Sequence, residues 1–170
     1  LRDWQKELIR HVFAHNDDNW LRHKVALLGL PRKNGKSALG SVLALYHLFM
    51  GADGGEIYSV AAEKNQANIV FKDAKKMVEA NPELLDLVKL YRDAIEVPST
   101  GSVYRVLSAE HNTKEGLSPT AVIFDELHAQ PSRELFDVFS LAMGARRSAQ
   151  LIAITTAGVK IDQTGSESIA

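Results

Sequence analysis

The feature that most constrains this chain is a strand-loop-helix unit near its start. A short apolar run, Val25 to Leu28, meets a loop rich in Gly, Pro, Lys and Asn from Gly29 to Gly35, and a long helical pattern follows from about Lys36 to Met50. The alternation continues along the chain. Ile57 to Ala61, Ala121 to Phe124 and Leu151 to Ile154 read as strands, and helices are predicted over 63–80, 82–90 and 132–145. Ala94 to Val97 and Val103 to Leu107 flank the turn formers Pro98-Ser99-Thr100-Gly101-Ser102 and read as a hairpin. An amphipathic helix over residues 1–15 places Trp4, Leu8, Ile9, Val12 and Phe13 on one side. Strands that alternate with helices predict an α/β fold with a mostly parallel central sheet and helices on both faces.

Composition removes several other classes. Zero cysteines exclude a disulfide scaffold and a thiolate metal site. Twenty Lys and Arg against 21 Asp and Glu leave a net charge of −1, so a nucleic-acid partner would have to meet a local patch. The longest apolar stretch, Ala38 to Ala52, is interrupted by Gly40, Ser41 and His47 and falls short of the roughly 20 residues a spanning helix needs. His11 and His15 share a helix face, but Val12 stands where an H-E-x-x-H site has its acid, so a non-metal role is expected.

Three motifs follow three of the strands. Pro31-Arg32-Lys33-Asn34-Gly35-Lys36-Ser37 ends as a phosphate-binding loop does, although Leu30 replaces its first glycine. Backbone N–H groups around Lys33, Asn34 and Gly35 would close on phosphate oxygens at a helix N-terminus. Lys36 would reach the β/γ-phosphates, and the Ser37 hydroxyl would ligate Mg²⁺. Asp125 and Glu126 end an apolar strand; the first suits the Mg²⁺ shell and the second can orient an attacking water. Thr155 and Thr156 end another strand and could sense a γ-phosphate. Ligands of open α/β sheets bind beyond the carboxyl ends of the strands, where all three motifs lie.

The segments LRDWQKELI, LPRKNGKS, SAEHNTKEGLSPTAVIFDELHA and LIAITTAG together resemble the N-terminal ATPase domain of the large terminase subunit, the DNA-packaging motor of tailed bacteriophages. The likeness runs from about residue 1 to 158. It implies a three-layer P-loop NTPase of the additional-strand, catalytic-glutamate type that hydrolyses ATP with Mg²⁺. In that family Gln5 matches the adenine-reading glutamine, Arg32 a loop arginine near the γ-phosphate, and Thr155-Thr156 the motif that couples hydrolysis to DNA movement. Lys114, Arg146 and Arg147 are candidates for a basic finger acting on a neighbouring subunit. Ala61 to Ala67 resembles a segment that helicase-like motors place near DNA, while Lys64, Lys72, Lys75 and Lys76 read by default as a solvated face.

The resemblance implies further partners: double-stranded DNA, a portal protein, a small terminase subunit, and a homo-oligomeric ring on the portal built from domains that are monomers in isolation. No membrane partner is expected. The setting would be the bacterial host cytoplasm, at the procapsid portal. Residues 1–170 are expected to be one ATPase domain of a longer chain whose C-terminal nuclease domain is absent here; the whole protein would then also be an endonuclease. Two alternatives stand beside this reading. Phe124-Asp125-Glu126-Leu127-His128 superficially resembles the D-E-x-H box of a superfamily-2 helicase, and a non-hydrolysing nucleotide-binding assembly scaffold would show the same loop.

Overall fold

The computed structural model describes residues 2–61, 64–108, 117–127, 134–146 and 148–156. In chain order the elements are α1 (Asp3–Val12), β1 (Val25–Gly29), α2 (Lys36–Met50), β2 (Glu56–Ala61), α3 (Lys64–Glu79), α4 (Pro82–Leu85), β3 (Lys89–Leu90), β4 (Ala94–Val97), β5 (Ser102–Ser108), β6 (Ala121–Asp125), α5 (Glu134–Ala142) and β7 (Gln150–Thr155). The strands form one sheet in the order β1-β7-β6-β2-β5-β4-β3. Pairing is parallel from β1 to β5 and antiparallel from β5 to β3.

The α/β expectation therefore holds, with one element misjudged. The helix expected from Pro82 to Leu90 stops at Leu85, although Asn81 caps it by accepting the Glu83 and Leu84 N–H groups at 3.0 and 3.4 Å. Lys89 and Leu90 instead pair with Glu96 and Ile95. Local helix propensity gives way because this extended path brings Val88 and Leu90 against the core.

Burial explains why the strand runs read as they do. β6 and most of β7 are covered on both faces, so each is an unbroken apolar segment rather than an alternating one. On one face Ile123, Ile152 and Ile154 meet Leu39, Leu43 and Leu48 of α2, with Phe71 and Ala74 of α3 in the same cluster. On the other, Val122, Phe124 and Leu151 meet Leu135 and Phe139 of α5. Burying side chains of this size contributes roughly 1.5–3 kcal/mol each.

Two contacts fix how α2 lies on the sheet. A Cβ added at Gly40 would stand 3.1 Å from Ile154 Cδ1 and 3.4 Å from Val70 Cγ1, so the missing side chain lets α2 approach β7 and α3 closely. At the next position, the buried Ser41 hydroxyl lies 2.7 Å from the Val70 carbonyl oxygen and 2.8 Å from that of Ser37, and shares its proton between them.

A buried amide ties α1 to the same body. Gln150 Nε2 donates to the carbonyls of Val12 and His23, each at 2.8 Å. Those two acceptors fix the amide orientation, so its Oε1 accepts from His47 Nε2–H at 2.9 Å. Phe13 stacks on Tyr46 and meets the His47 ring edge-on. Burial drives the His47 pKa down to about 4, with the Gln150 hydrogen bond opposing in part.

Gly40→Ala is expected to destabilise the fold by about 1–3 kcal/mol through overpacking, read as a lower urea midpoint at unchanged m-value. His47 supplies a pH dependence. Its folded pKa lies below the unfolded value of 6.5, so the unfolded chain takes up the proton first; its contribution is intact above pH 6.5 and is lost as pH falls towards 4. That loss amounts to about 3 kcal/mol. His47→Gln should flatten the stability profile between those pH values; an unchanged slope would assign it to another group.

Candidate functional site

β1, β7 and β6 are adjacent, and their carboxyl ends carry the three motifs in that spatial order. Backbone bonds continue the sheet past the strands: Leu30 N–H donates to the Thr155 carbonyl at 3.0 Å, and Glu126 N–H to that of Ile154 at 2.8 Å. The end of β7 is thus tied on one side to the start of the loop and on the other to the acidic pair.

The loop itself is a tight turn. Lys33 and Gly35 both have positive φ, +65° and +71°. Asn34 Nδ2 donates within the loop to the carbonyls of Pro31 and Arg32 at 3.3 and 3.4 Å. Gly35 is the N-cap of α2, and no side chain caps it, so the first N–H groups and the positive dipole end are presented to a ligand. Ser37 lies in the first helical turn, and the Arg32 side chain is exposed. Gln5 comes in from α1. Its Oε1 accepts the Arg2 N–H at 2.8 Å, and its Nε2 lies 3.9 Å from where a Cβ at Gly35 would stand.

Opposite the loop stand the two acids. Lys36 Nζ makes a 2.7 Å ion pair with Glu126 Oε1. Glu126 Oε2 accepts from both the N–H and the hydroxyl of Thr156, each at 3.2 Å. Burial pushes the Glu126 pKa upward, but the Lys36 hydrogen bond and charge, with the Thr156 bonds, outweigh it and hold the carboxyl below its ordinary value. Asp125 is 6% exposed, and its pKa is raised by burial and by the Glu126 charge, with Lys36 opposing. Glu126 has φ +51°, a sparsely populated conformation for a non-glycine residue, of the kind that structures tolerate at functional sites.

Most of the residues singled out by sequence thus meet at one edge: Gln5, the 32–37 loop, Asp125, Glu126, Thr155 and Thr156. Arg146 does not. Its guanidinium donates to Ser118 Oγ at 2.9 Å and Thr120 Oγ1 at 3.1 Å, at the amino end of β6 and so at the opposite edge of the sheet. Lys114, Arg147 and His128 lie outside the described residues. Among the described residues no group of three or more His, Cys, Asp and Glu is placed to hold a metal ion.

The family described as the ATPase domain of the terminase large subunit matches residues 3–168. The chain belongs to this family. It is 36% identical over 163 residues to the terminase large subunit of Enterobacteria phage HK97, covering 92% of this chain and 31% of that one. The crystal structure of the HK97 large terminase superimposes with a TM-score of 0.79 at 34% identity, over 91% of this chain and 33% of that one. The Thermus phage P74-26 large terminase ATPase domain gives 0.67 at 25% identity, over 81% and 62%. The chain therefore spans about a third of the length of the HK97 protein, and it carries the P-loop NTPase architecture of terminase ATPase domains. Among the described residues no helix is long and apolar enough to cross a membrane.

What the motifs did not announce is how they touch. Neither the Leu30–Thr155 link nor the Thr156–Glu126 bonds follow from spacing, because each joins residues more than 25 positions apart. The Lys36–Glu126 pair can be tested on the nucleotide-free protein. A cycle of Lys36→Met, Glu126→Gln and the double variant should show a coupling of about 1–3 kcal/mol in urea unfolding. Strict additivity would mean the pair contributes nothing to stability.

Proposed function

We propose that this terminase ATPase domain binds ATP across the carboxyl ends of β1, β7 and β6 and hydrolyses it by in-line attack of water. The observation that carries the reading is the 2.7 Å approach of Lys36 to Glu126: a cation suited to a γ-phosphate stands beside a carboxylate suited to a water. The loop N–H groups from Lys33 to Gly35 and the dipole of α2 take the phosphate oxygens. Gln5 faces the loop with Nε2 free to donate to a purine N7, and Oε1 keeps a second lone pair for the adenine amino group. Arg32, exposed on the loop, can swing to the γ-phosphate.

Mg²⁺ fits the donors present. Ser37 and Asp125 offer hard oxygen ligands, and a cation would offset the burial and like-charge repulsion that raise the Asp125 pKa. When bound it supplies neutralisation of phosphate charge. The chain's own part is to hold the triphosphate, keep Glu126 ionised to orient the water, and exclude competing positions for both.

In the whole protein we assign this cycle to the driving of double-stranded DNA into a procapsid. The partners would be the portal protein, a small terminase subunit and copies of the same chain in a ring, in the host cytoplasm at the portal. A downstream nuclease domain would complete the protein. Thr155 and Thr156 would couple hydrolysis to movement. A trans-acting finger would come from Lys114, Arg146 or Arg147; for Arg146 this requires a neighbour to meet the edge opposite its own loop. Family membership favours this motor over a helicase.

Lys36→Ala is expected to weaken ATP binding about tenfold or more. Glu126→Gln should leave binding intact and lower turnover about 10²- to 10⁴-fold. Equilibrium titration with a fluorescent ATP analogue and phosphate release, measured on the full-length protein with DNA, separate the two. Undiminished affinity in the first variant would remove the loop from its role, and parental turnover in the second would remove Glu126.

A further inference from the structure

We infer that Thr156 is a positioning residue for Glu126, keeping the carboxylate in place when a triphosphate draws Lys36 away from it. This rests on the reading of Glu126 as the group that orients the attacking water.

The two carboxylate oxygens are held by different elements. Oε1 faces Lys36 at the start of α2, and Oε2 faces the N–H and hydroxyl of Thr156 just beyond β7. The first hold is exchangeable. Lys36 sits at the helix N-terminus where the phosphates would bind, and a multiply charged triphosphate there attracts an ammonium more strongly than one carboxylate does. The second hold is not exchangeable in this way. Thr156 carries no charge for the triphosphate to attract, and the backbone before it is pinned on both sides, Thr155 O by Leu30 N–H and Ile154 O accepting from Glu126 N–H.

The need for such a hold follows from the backbone. Glu126 stands at φ +51° directly after the strand, so its carboxylate is aimed by a turn rather than by regular structure. A water-orienting group contributes only when it is fixed within a fraction of an ångström of its productive place. Thr155 turns its hydroxyl to the Thr156 carbonyl at 3.3 Å, whereas Thr156 turns its own onto the carboxylate. A threonine present for strand propensity alone would have no reason to spend its hydroxyl there.

The device also gives the nucleotide a mechanical consequence. Before binding, Glu126 bridges α2 and the segment just beyond β7; after binding, its hold on that segment persists. Triphosphate arrival therefore releases the loop helix from the acidic pair while leaving the pair attached to the segment that follows β7.

The test uses the full-length protein with DNA and the variants Thr156→Val, Thr156→Ser, Glu126→Gln and Thr156→Val/Glu126→Gln, each first checked to be fully folded at the assay temperature by circular dichroism and a cooperative thermal transition. Valine removes the hydroxyl and retains the shape and the backbone N–H. Thr156→Val is expected to bind an ATP analogue within about twofold of the parent and to lose about tenfold in kcat, the effect of one charge-assisted hydrogen bond. Thr156→Ser should restore kcat to within about twofold. In the Glu126→Gln background, Thr156→Val should cost nothing further in single-turnover hydrolysis. A structure with a non-hydrolysable analogue should show Lys36 on phosphate and Thr156 Oγ1 still on Glu126. Parental kcat in Thr156→Val while Glu126→Gln is inactive would overturn the inference alone. So would a serine variant no better than valine, or a tenfold loss that persists in the Glu126→Gln background. Parental turnover in Glu126→Gln would overturn the reading of Glu126 and the inference with it.

Discussion

The arrangement depends on β7 pairing in parallel between β1 and β6. Register sets Gly29 beside Thr155 and Asp125 beside Ile154, so three strands end at nearly one level. Everything chemical follows from that levelling. The loop after β1, the acids after β6 and the threonines after β7 come within hydrogen-bond reach of one another without any long excursion of the chain. Parallel strands make this possible because their carboxyl ends share an edge, and each strand end can contribute one side chain to a common crevice.

Packing beneath that edge keeps the parts in place. Gly40 lets α2 lie close against Ile154, and Ser41 joins α2 to the backbone of α3, so the helix bearing Lys36 and Ser37 has little freedom to slide. Gln150, at the far end of β7, holds the last turn of α1 and the approach to β1. One strand therefore organises both of its ends: a buried amide fixes the entry helix, and a pair of threonines meets the site. The cost of burying Gln150 and His47 is met by satisfying the amide fully and keeping the imidazole neutral.

Charges of both signs face one another at the edge. Lys36 faces Glu126, while Asp125 bears a raised pKa from burial and a neighbouring charge. A triphosphate and a divalent cation would add charge of both signs to the gap between loop and acids, and the existing groups are placed to take one each. The left-handed backbone at Lys33, Gly35 and Glu126 marks the same place as the point where local conformational preference yields to function.

Much of this was legible in the amino-acid sequence, and the reason is that motif chemistry is local. Gly35-Lys36-Ser37 can only present N–H groups, an ammonium and a hydroxyl at a helix start, and Asp125-Glu126 can only offer carboxylates at a strand end. The apolar runs and their punctuation fixed nearly every element, failing at Val88 to Leu90, where pairing with β4 outweighed helix propensity. Strand order was not legible, because apolar runs buried on both faces carry no mark of which neighbour they will take. Only the tertiary structure decided that β7 lies between the loop and the acids. That placement is why Lys36 meets Glu126 on one side and Thr156 meets it on the other.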